Sequence, residues 1–481
     1  MSRKALVTVV LALLALAAVS LAAALVRGGT AWPGATPEAT FRDRNGDGVL
    51  EHGGGEPLLD RTELAPRSRI VRRLALFAQL TDAHILDEES PARLEVLDRR
   101  GRPFTSAFRP QEALSGQVLA ATVRSLNALK PEAVVVTGDL IDNAQRNELD
   151  EALAILRGGR VNPNSGARGY QGVQDAADAD PFYYRPDVDP PRHPGLVTRA
   201  ERPFVSRGLE GPWYPVVGNH DLLVQGILAP TARTNEIATG NRKLLGLGAA
   251  ALHAVQGLEV IPSLVARLLR FGLPGASARV PPDPRRRELS ADETLAALRD
   301  ASGHGGGGAL LDYSFDIGPV RAIVLDTIRR SSGASGVVRP SQRRWLQHEL
   351  RAAGRHPVIV FSHTPLRSAE GGDAALSLLD RARHVVAVVA GDTHRNVIRP
   401  RAGYWQIDTS SLIDYPQQAR AVELDRTANG GLVLQTWMID HDPSNQDAEI
   451  SRQLAYLDYQ GGRVQGLAGR RTDRNARLYL P

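Results

Sequence analysis

The chain has 481 residues, a net charge of +5 and a sequence pI of about 9.6, with 42% hydrophobic residues, 5% aromatic residues and no cysteine. The lack of cysteine excludes disulfides and thiolate metal sites, so a metal can be held only by His, Asp, Glu, Asn or carbonyl oxygens. Arginine supplies most of the positive charge in scattered groups (Arg67 to Arg73, Arg285 to Arg287, Arg470 to Arg474), and with so few aromatics to stack on bases no nucleic-acid partner is expected.

Arg3 and Lys4 precede an uncharged apolar run from Ala5 to Val26 that stops at Arg27. The run exceeds the roughly 7–15 apolar residues of a cleavable signal. It suffices to cross a hydrocarbon core of about 30 Å as a helix. Basic residues ahead of it direct the remainder outward. Residues 1–27 therefore read as a signal anchor or a signal peptide, the latter ending near Ala22-Ala23-Ala24. The cytoplasmic membrane is the expected partner of this helix, and the rest of the chain is expected outside the cytoplasm. Residues 28–66 are rich in Gly, Pro and charge and read as an irregular stalk or arm. Within them Asp43, Asn45 and Asp47 have the alternation of a calcium loop, but Gly54 stands where the twelfth-position acid belongs. A surface turn and a calcium site are both open there.

Leu74 to Leu80 reads as a strand running into Asp82-Ala83-His84. Gln111 to Leu129 has helical spacing, Glu132 to Thr137 is a buried strand before Gly138-Asp139, and Asn147 to Leu156 is a second helix. An irregular insertion spans 157–202. Pro215-Val216-Val217 then leads to Gly218-Asn219-His220-Asp221. A second insertion, 222–300, mixes helices and loops; its stretch Ile261 to Leu273 is basic and apolar, as a core-capping or membrane-surface helix would be. Strands follow at Tyr313 to Phe315, Val320 to Leu325, Val358 to Phe361 (before His363), Val385 to Ala390 (before Gly391-Asp392-Thr393-His394), Ala421 to Leu424 and Leu432 to Trp437, with a helix at Arg344 to Leu350. The tail 446–481 reads as a helix and an irregular end. Strands alternating with helices twice over predict an α/β fold of two packed mixed sheets flanked by helices, preceded by the N-terminal apolar helix, with the main domain at 67–445.

Five polar segments each follow an apolar strand, where ligands gather in open α/β sheets. Asp82 and His84 are alternate residues and can reach one ion. Asp139 has two oxygens and can bridge two cations, Asn219 offers a neutral amide oxygen, and His363 and His394 offer imidazoles. Two divalent ions so held clamp an in-line displacement at phosphorus, with a metal-bridged hydroxide as nucleophile. His220 is placed to stabilise the transition state or to protonate the leaving oxygen. Asp221 either orients His220 or caps the following helix. The other eight histidines (His52, His193, His253, His304, His348, His356, His384 and His441) read as surface or satisfied core residues.

Taken in order, the segments Asp-x-His, Gly-Asp, Gly-Asn-His-Asp, His and Gly-Asp-x-His resemble the calcineurin-like metallophosphoesterases from about Phe77 to Asn396. The resemblance implies one ion held by Asp82, His84, Asp139 and His394 and a second by Asp139, Asn219, His363 and Asp392, with His220 catalytic. It further implies a phosphoester substrate. Asp87 to Arg93, Ser335-Gly336 ahead of Trp345-Leu346, and Ser410-Ser411 leading to Tyr415-Pro416-Gln417-Gln418 look like one uncharacterised bacterial exported subfamily. The family's Gly-His-x-His is Gly391-Asp392-Thr393-His394 here, so a carboxylate replaces an imidazole. Three carboxylates should favour Mn, Fe or Mg over Zn, with Mn or Fe foremost, and should move the active pH range upward. The expected function is an extracytoplasmic phosphoesterase acting on a phosphate mono- or diester. The alternatives are a non-catalytic metal-binding envelope protein that keeps the fold, and a phosphoprotein phosphatase.

Overall fold

The computed structural model describes residues 34–101, 104–246, 276–331, 333–463 and 466–481. The apolar N-terminal segment and the stretch 261–273 lie outside the described residues. Among the described residues no helix is long and apolar enough to cross a membrane.

Residues 34–481 form one unit built on two mixed sheets. The strands in chain order are β1 (Leu59–Arg61), β2 (Ile70–Leu80), β3 (Ala133–Thr137), β4 (Trp213–Val216), β5 (Tyr313–Ile317), β6 (Val320–Leu325), β7 (Val358–Ser362), β8 (Val385–Ala390), β9 (Val397–Arg401), β10 (Tyr404–Asp408), β11 (Gln418–Thr427), β12 (Leu432–Asp440) and β13 (Ala476–Leu480). One sheet runs β1-β13-β12-β11-β2-β3-β4, the other β5-β6-β7-β8-β10-β9. At the centre of the first, β2, β3 and β4 are parallel neighbours. In the second, β6, β7, β8 and β10 are parallel. Every residue of β3, β7 and β8 is buried, which is why these strands read as unbroken apolar runs.

The longer helices among the described residues are α1 (Ser115–Leu129), α2 (Arg146–Arg157), α3 (Ala291–Ser302), α4 (Pro340–Ala352), α5 (Gly372–Asp380) and α6 (Gln446–Gln460). On α4 the apolar stripe of Leu346 and Leu350, with Leu376 and Leu379 of α5, packs on Ile323, Val358, Val360 and Val388 of the second sheet. Pro340 opens α4 at a position where a missing N–H costs nothing. Between the sheets Phe77 meets Phe361 edge-on at 5.6 Å. Beside that pair lies a polar layer. Gln79 donates to Thr137 Oγ1 (2.8 Å), Thr409 donates to Gln79 Oε1 (2.6 Å), and the buried Arg420 donates to Thr409 Oγ1 (2.9 Å) and Asn396 Oδ1 (2.8 Å). These bonds satisfy polar groups that would otherwise be costly in a core.

Two segments differ from the irregular structure expected of them. Within 28–66, Ala39–Arg42 pairs with Glu51–Gly54 as a hairpin, and β1 pairs parallel with β13. At the chain end, α6 is followed by β13, which adds antiparallel to β12. These strands are short, β1 and β13 are interrupted by charge (Asp60, Arg61, Arg477), and those two pair across more than 400 residues, so no local periodicity announced them. In the loop at 43–49, Asp43 Oδ1 accepts from Gly46 N (2.7 Å) and Oδ2 from Gly48 N (3.0 Å), while Asn45 and Asp47 bond each other.

Candidate metal centre

All five polar segments leave the carboxyl ends of adjacent parallel strands. Asp82 and His84 follow β2, Asp139 follows β3, Asn219 follows β4, His363 follows β7, and Asp392 and His394 follow β8. Asp82 (φ 53°), His84 (φ 44°), Asp139 (φ 48°), Asp392 (φ 66°) and His394 (φ 51°) have left-handed backbone. Non-glycine residues enter that region at a cost and persist there where the surroundings enforce it, commonly at functional sites. Gly138 (φ +91°) allows the close approach. A Cβ there would lie 2.7 Å from both Gly218 N and His363 Nδ1.

Each ligand imidazole is pinned through Nδ1 and turns Nε2 inward. His84 Nδ1 donates to Asp142 Oδ1 (2.9 Å), His363 Nδ1 to the Thr137 carbonyl (2.8 Å) and His394 Nδ1 to Asp414 Oδ2 (2.6 Å). His84 Nε2 and His394 Nε2 face each other at 3.3 Å. With both rings neutral and both Nδ1 atoms protonated these would be two facing lone pairs, an arrangement that a proton or a metal cation between them relieves. Their spacing suits two ligands each about 2.1 Å from one ion. Asp82 Oδ1 is 3.3 Å from His394 Nε2. Asp139 Oδ2 lies 3.3 Å from His363 Nε2 and 3.7 Å from His84 Nε2, so one oxygen sits between two imidazoles. Asn219 donates Nδ2 to the Gly226 carbonyl (3.0 Å), which leaves Oδ1 turned inward, 3.1 Å from His363 Nε2. Asp392 Oδ1 is 3.6 Å from the same nitrogen. Among the described residues the ligating atoms of Asp82, His84 and His394, of Asp82, Asp139 and His363, and of His84, Asp142 and His220 each lie within 4.8 Å of one another. The donor set therefore fits two divalent cations side by side.

The electrostatics agree. Burial pushes the Asp139 carboxyl up, but His363, His220 and His84 more than offset it and hold it below the usual range. Burial likewise opposes charge on His363 and His394, yet the facing carboxylates win. Asp139, Asp82 and Asp392 raise His363 well above its ordinary value, and Asp82 and Asp414 raise His394 to about 10. Buried acids thus draw positive charge to the points where the Nε2 atoms converge.

His220 has its backbone N on Asp139 Oδ1 (2.8 Å) and its Nδ1 on the Asp142 carbonyl (2.6 Å). Asp221 does not touch that ring. Its Oδ2 accepts from Gly218 N (2.7 Å) at the start of the short helix Asn219–Leu222, and its Oδ1 accepts from Leu140 N and Ile141 N. Of the two roles expected for Asp221, the cap is the one seen, and the group beside His220 is Asp142. Asp142 and Asp414 were not singled out in the sequence. Asp142 was visible as an acid three residues after Asp139. Asp414 lay inside the stretch Ser410 to Gln418, and Arg93, which donates to Asp142 Oδ2 (2.8 Å), ends the stretch Asp87 to Arg93.

A family model described as calcineurin-like phosphoesterase matches residues 76–396. No curated protein matches the chain. Among solved structures, a dimetal phosphatase from Danio rerio is 14% identical with a TM-score of 0.39, the match covering 77% of this chain and 97% of that one. A putative 5'-nucleotidase from Staphylococcus aureus is 15% identical with a TM-score of 0.31, over 80% of this chain and 58% of that one. GAP50 of Plasmodium is 13% identical with a TM-score of 0.30, over 79% and 95%.

Proposed function

Because the chain belongs to the calcineurin-like phosphoesterases, a family of metal-dependent hydrolases, we propose that it is an extracytoplasmic phosphoesterase that hydrolyses a phosphate mono- or diester at a dinuclear centre. The observation that carries this reading is the convergence of His84 Nε2 and His394 Nε2 beside Asp82, with Asp139 Oδ2 between His84 and His363. Asp82, His84, Asp139 and His394 would hold one ion, and Asp139, Asn219, His363 and Asp392 the other. Bound there, the ions supply an activated water and neutralise charge on the phosphoryl oxygens.

The chain's own groups do the rest. The carboxylates and the Asn219 amide fix where charge is concentrated. His220 Nδ1 donates a hydrogen bond to the Asp142 carbonyl, which turns Nε2 toward the centre as the atom that, in the imidazolium form, passes a proton to the departing oxygen. Its side chain is 24% exposed, against 15% for His394, and His84 and His363 are buried, so it is the most accessible imidazole of the centre. The extracytoplasmic address rests on the basic, then apolar, N-terminus.

The test is turnover of a bis-aryl and a mono-aryl phosphate with Mn²⁺ added, beside metal analysis of the same samples. We expect hydrolysis of at least one ester, loss of it in Asp139→Asn, and a fall of about 10²-fold or more in kcat for His220→Ala. Two bound metals without turnover of either ester would favour the second reading, a metal-binding envelope protein without catalysis. The single feature that supports that reading is Asp392 at a position where the family has histidine.

A further inference from the structure

His84 and His394, the two facing imidazoles, are anchored by different acids far apart in the sequence, Asp142 and Asp414, yet the acids are joined. Asp142 takes His84 Nδ1 on Oδ1 and Arg93 Nη1 on Oδ2 (2.8 Å). Arg93 Nη2 donates to Glu112 Oε2 (2.8 Å). The same Glu112 oxygen accepts from Arg109 N (2.9 Å). Arg109 Nε donates to Asp414 Oδ1 (2.7 Å), and Asp414 Oδ2 takes His394 Nδ1 (2.6 Å). The path closes from one imidazole to the other without a water. Every residue on it apart from the two rings is at least 95% buried.

We propose that Arg93, Glu112 and Arg109 act as one positioning bracket, which sets the separation of the His84 and His394 Nε2 atoms and through it the affinity of that pole of the centre for a divalent cation. The proposal rests on the metal reading of the site. Three properties support a bracket over two separate clamps. Glu112 Oε2 accepts both from the Arg93 side chain and from the Arg109 backbone N, so one oxygen ties the Arg93 fork to the backbone from which the Arg109 side chain reaches Asp414. Arg93 spends its two Nη groups on two different acids, a fork that a lysine cannot reproduce. Five charged side chains out of water are also a poor source of stability, since apolar replacements commonly do as well, so a role in fixing geometry is the stronger reason for them. Groups that orient metal ligands typically change affinity by about 10–100-fold when altered.

The experiment measures Mn²⁺ affinity in the full chain, by calorimetric titration after chelation and dialysis. It compares the parent with Glu112→Gln, Arg93→Lys, Arg109→Lys and the double lysine variant, and records the melting temperature of each metal-free protein. We expect Glu112→Gln and each lysine variant to weaken one of two Mn²⁺ ions by about 10–100-fold and to leave the other within about threefold, with the metal-free melting temperature near that of the parent. The double variant should lose less affinity than the two single losses combined, because the second change acts on a bracket already broken. Additive losses would mean two independent clamps and would overturn the bracket. So would unchanged affinities, or equal weakening of both ions together with a lower metal-free melting temperature. A parent that takes up no Mn²⁺ sinks the metal reading and the bracket with it; a parent that binds two ions while the variants match it sinks the bracket alone.

Discussion

Asp392 is the ligand candidate that departs from the histidine expected by resemblance. Its carboxylate approaches His363 Nε2 at 3.6 Å, and its backbone N donates to Asp82 Oδ2 at 3.2 Å, so it stands beside the second pole of the site. An oxygen there is a harder ligand than an imidazole and brings a charge. Asp392→His should therefore shift the metal retained after purification toward Zn²⁺ relative to the parent, by elemental analysis of both proteins loaded from the same equimolar mixture. An unchanged metal ratio would mean that Asp392 does not meet the ion. The seven ligand candidates were legible in the sequence because each ends an apolar strand run, and the strand-end rule puts such residues on one rim. The groups behind them were not. Nothing in spacing tells that Asp414 reaches His394, or that Arg109 reaches Asp414, because those bonds join residues some 20 and 300 positions apart across the fold.

At the level of elements, the central strands β2, β3, β6, β7 and β8 and the edge strand β5 were readable, whereas β1, β9, β10 and β13 were not. β7 and β8 are continuous apolar runs because helices cover one face and the other sheet covers the second. β9 and β10 form a hairpin whose first strand carries Arg399 and Arg401, and such alternation hides a strand inside what looks like a charged loop. The insertion 222–300 also proved less detached than its composition suggests. Glu288 bridges to Gln145, Leu289 N donates to the Ala144 carbonyl, and Ala144 N donates to the His220 carbonyl. The insertion is thus stitched to the loop that carries the catalytic candidate. Glu288 is 7% exposed, and burial pushes its carboxyl up to about 7, against bonds from Thr234 and the Thr231 backbone that lower it. Its folded-state value lies above the unfolded one, so its contribution is fully present below about pH 4.5 and is lost as pH rises through about 7. At about 1.4 kcal/mol per unit, the loss amounts to roughly 3 kcal/mol at most. Denaturant unfolding at pH 5 and pH 8, at fixed metal, should show a smaller drop in Glu288→Gln than in the parent. Equal drops would mean that Glu288 ionises in the folded protein as readily as in the unfolded one.

At the scale of the whole molecule, the ligands divide between the sheets. The first sheet delivers Asp82, His84, Asp139 and Asn219, and the second delivers His363, Asp392 and His394. Ions bound among them are favoured only in the folded state, so chelation should lower the melting temperature. With each ion at about 100 times its dissociation constant, the two together supply about 5 kcal/mol, worth about 5 °C for a chain of this size. Scanning calorimetry with and without EDTA, followed by restoration with Mn²⁺, measures it; a melting temperature indifferent to EDTA would mean that the sheets hold their registry unaided. Joining Asp82 to His394 closes a loop of more than 300 residues, and tying off a loop of that length removes on the order of 6 kcal/mol of freedom from the unfolded chain in the cross-link model. A protein without cysteine has no covalent means of doing this. Its metal centre is then the reversible counterpart of a disulfide, one that opens to a chelator where a disulfide would open to a thiol.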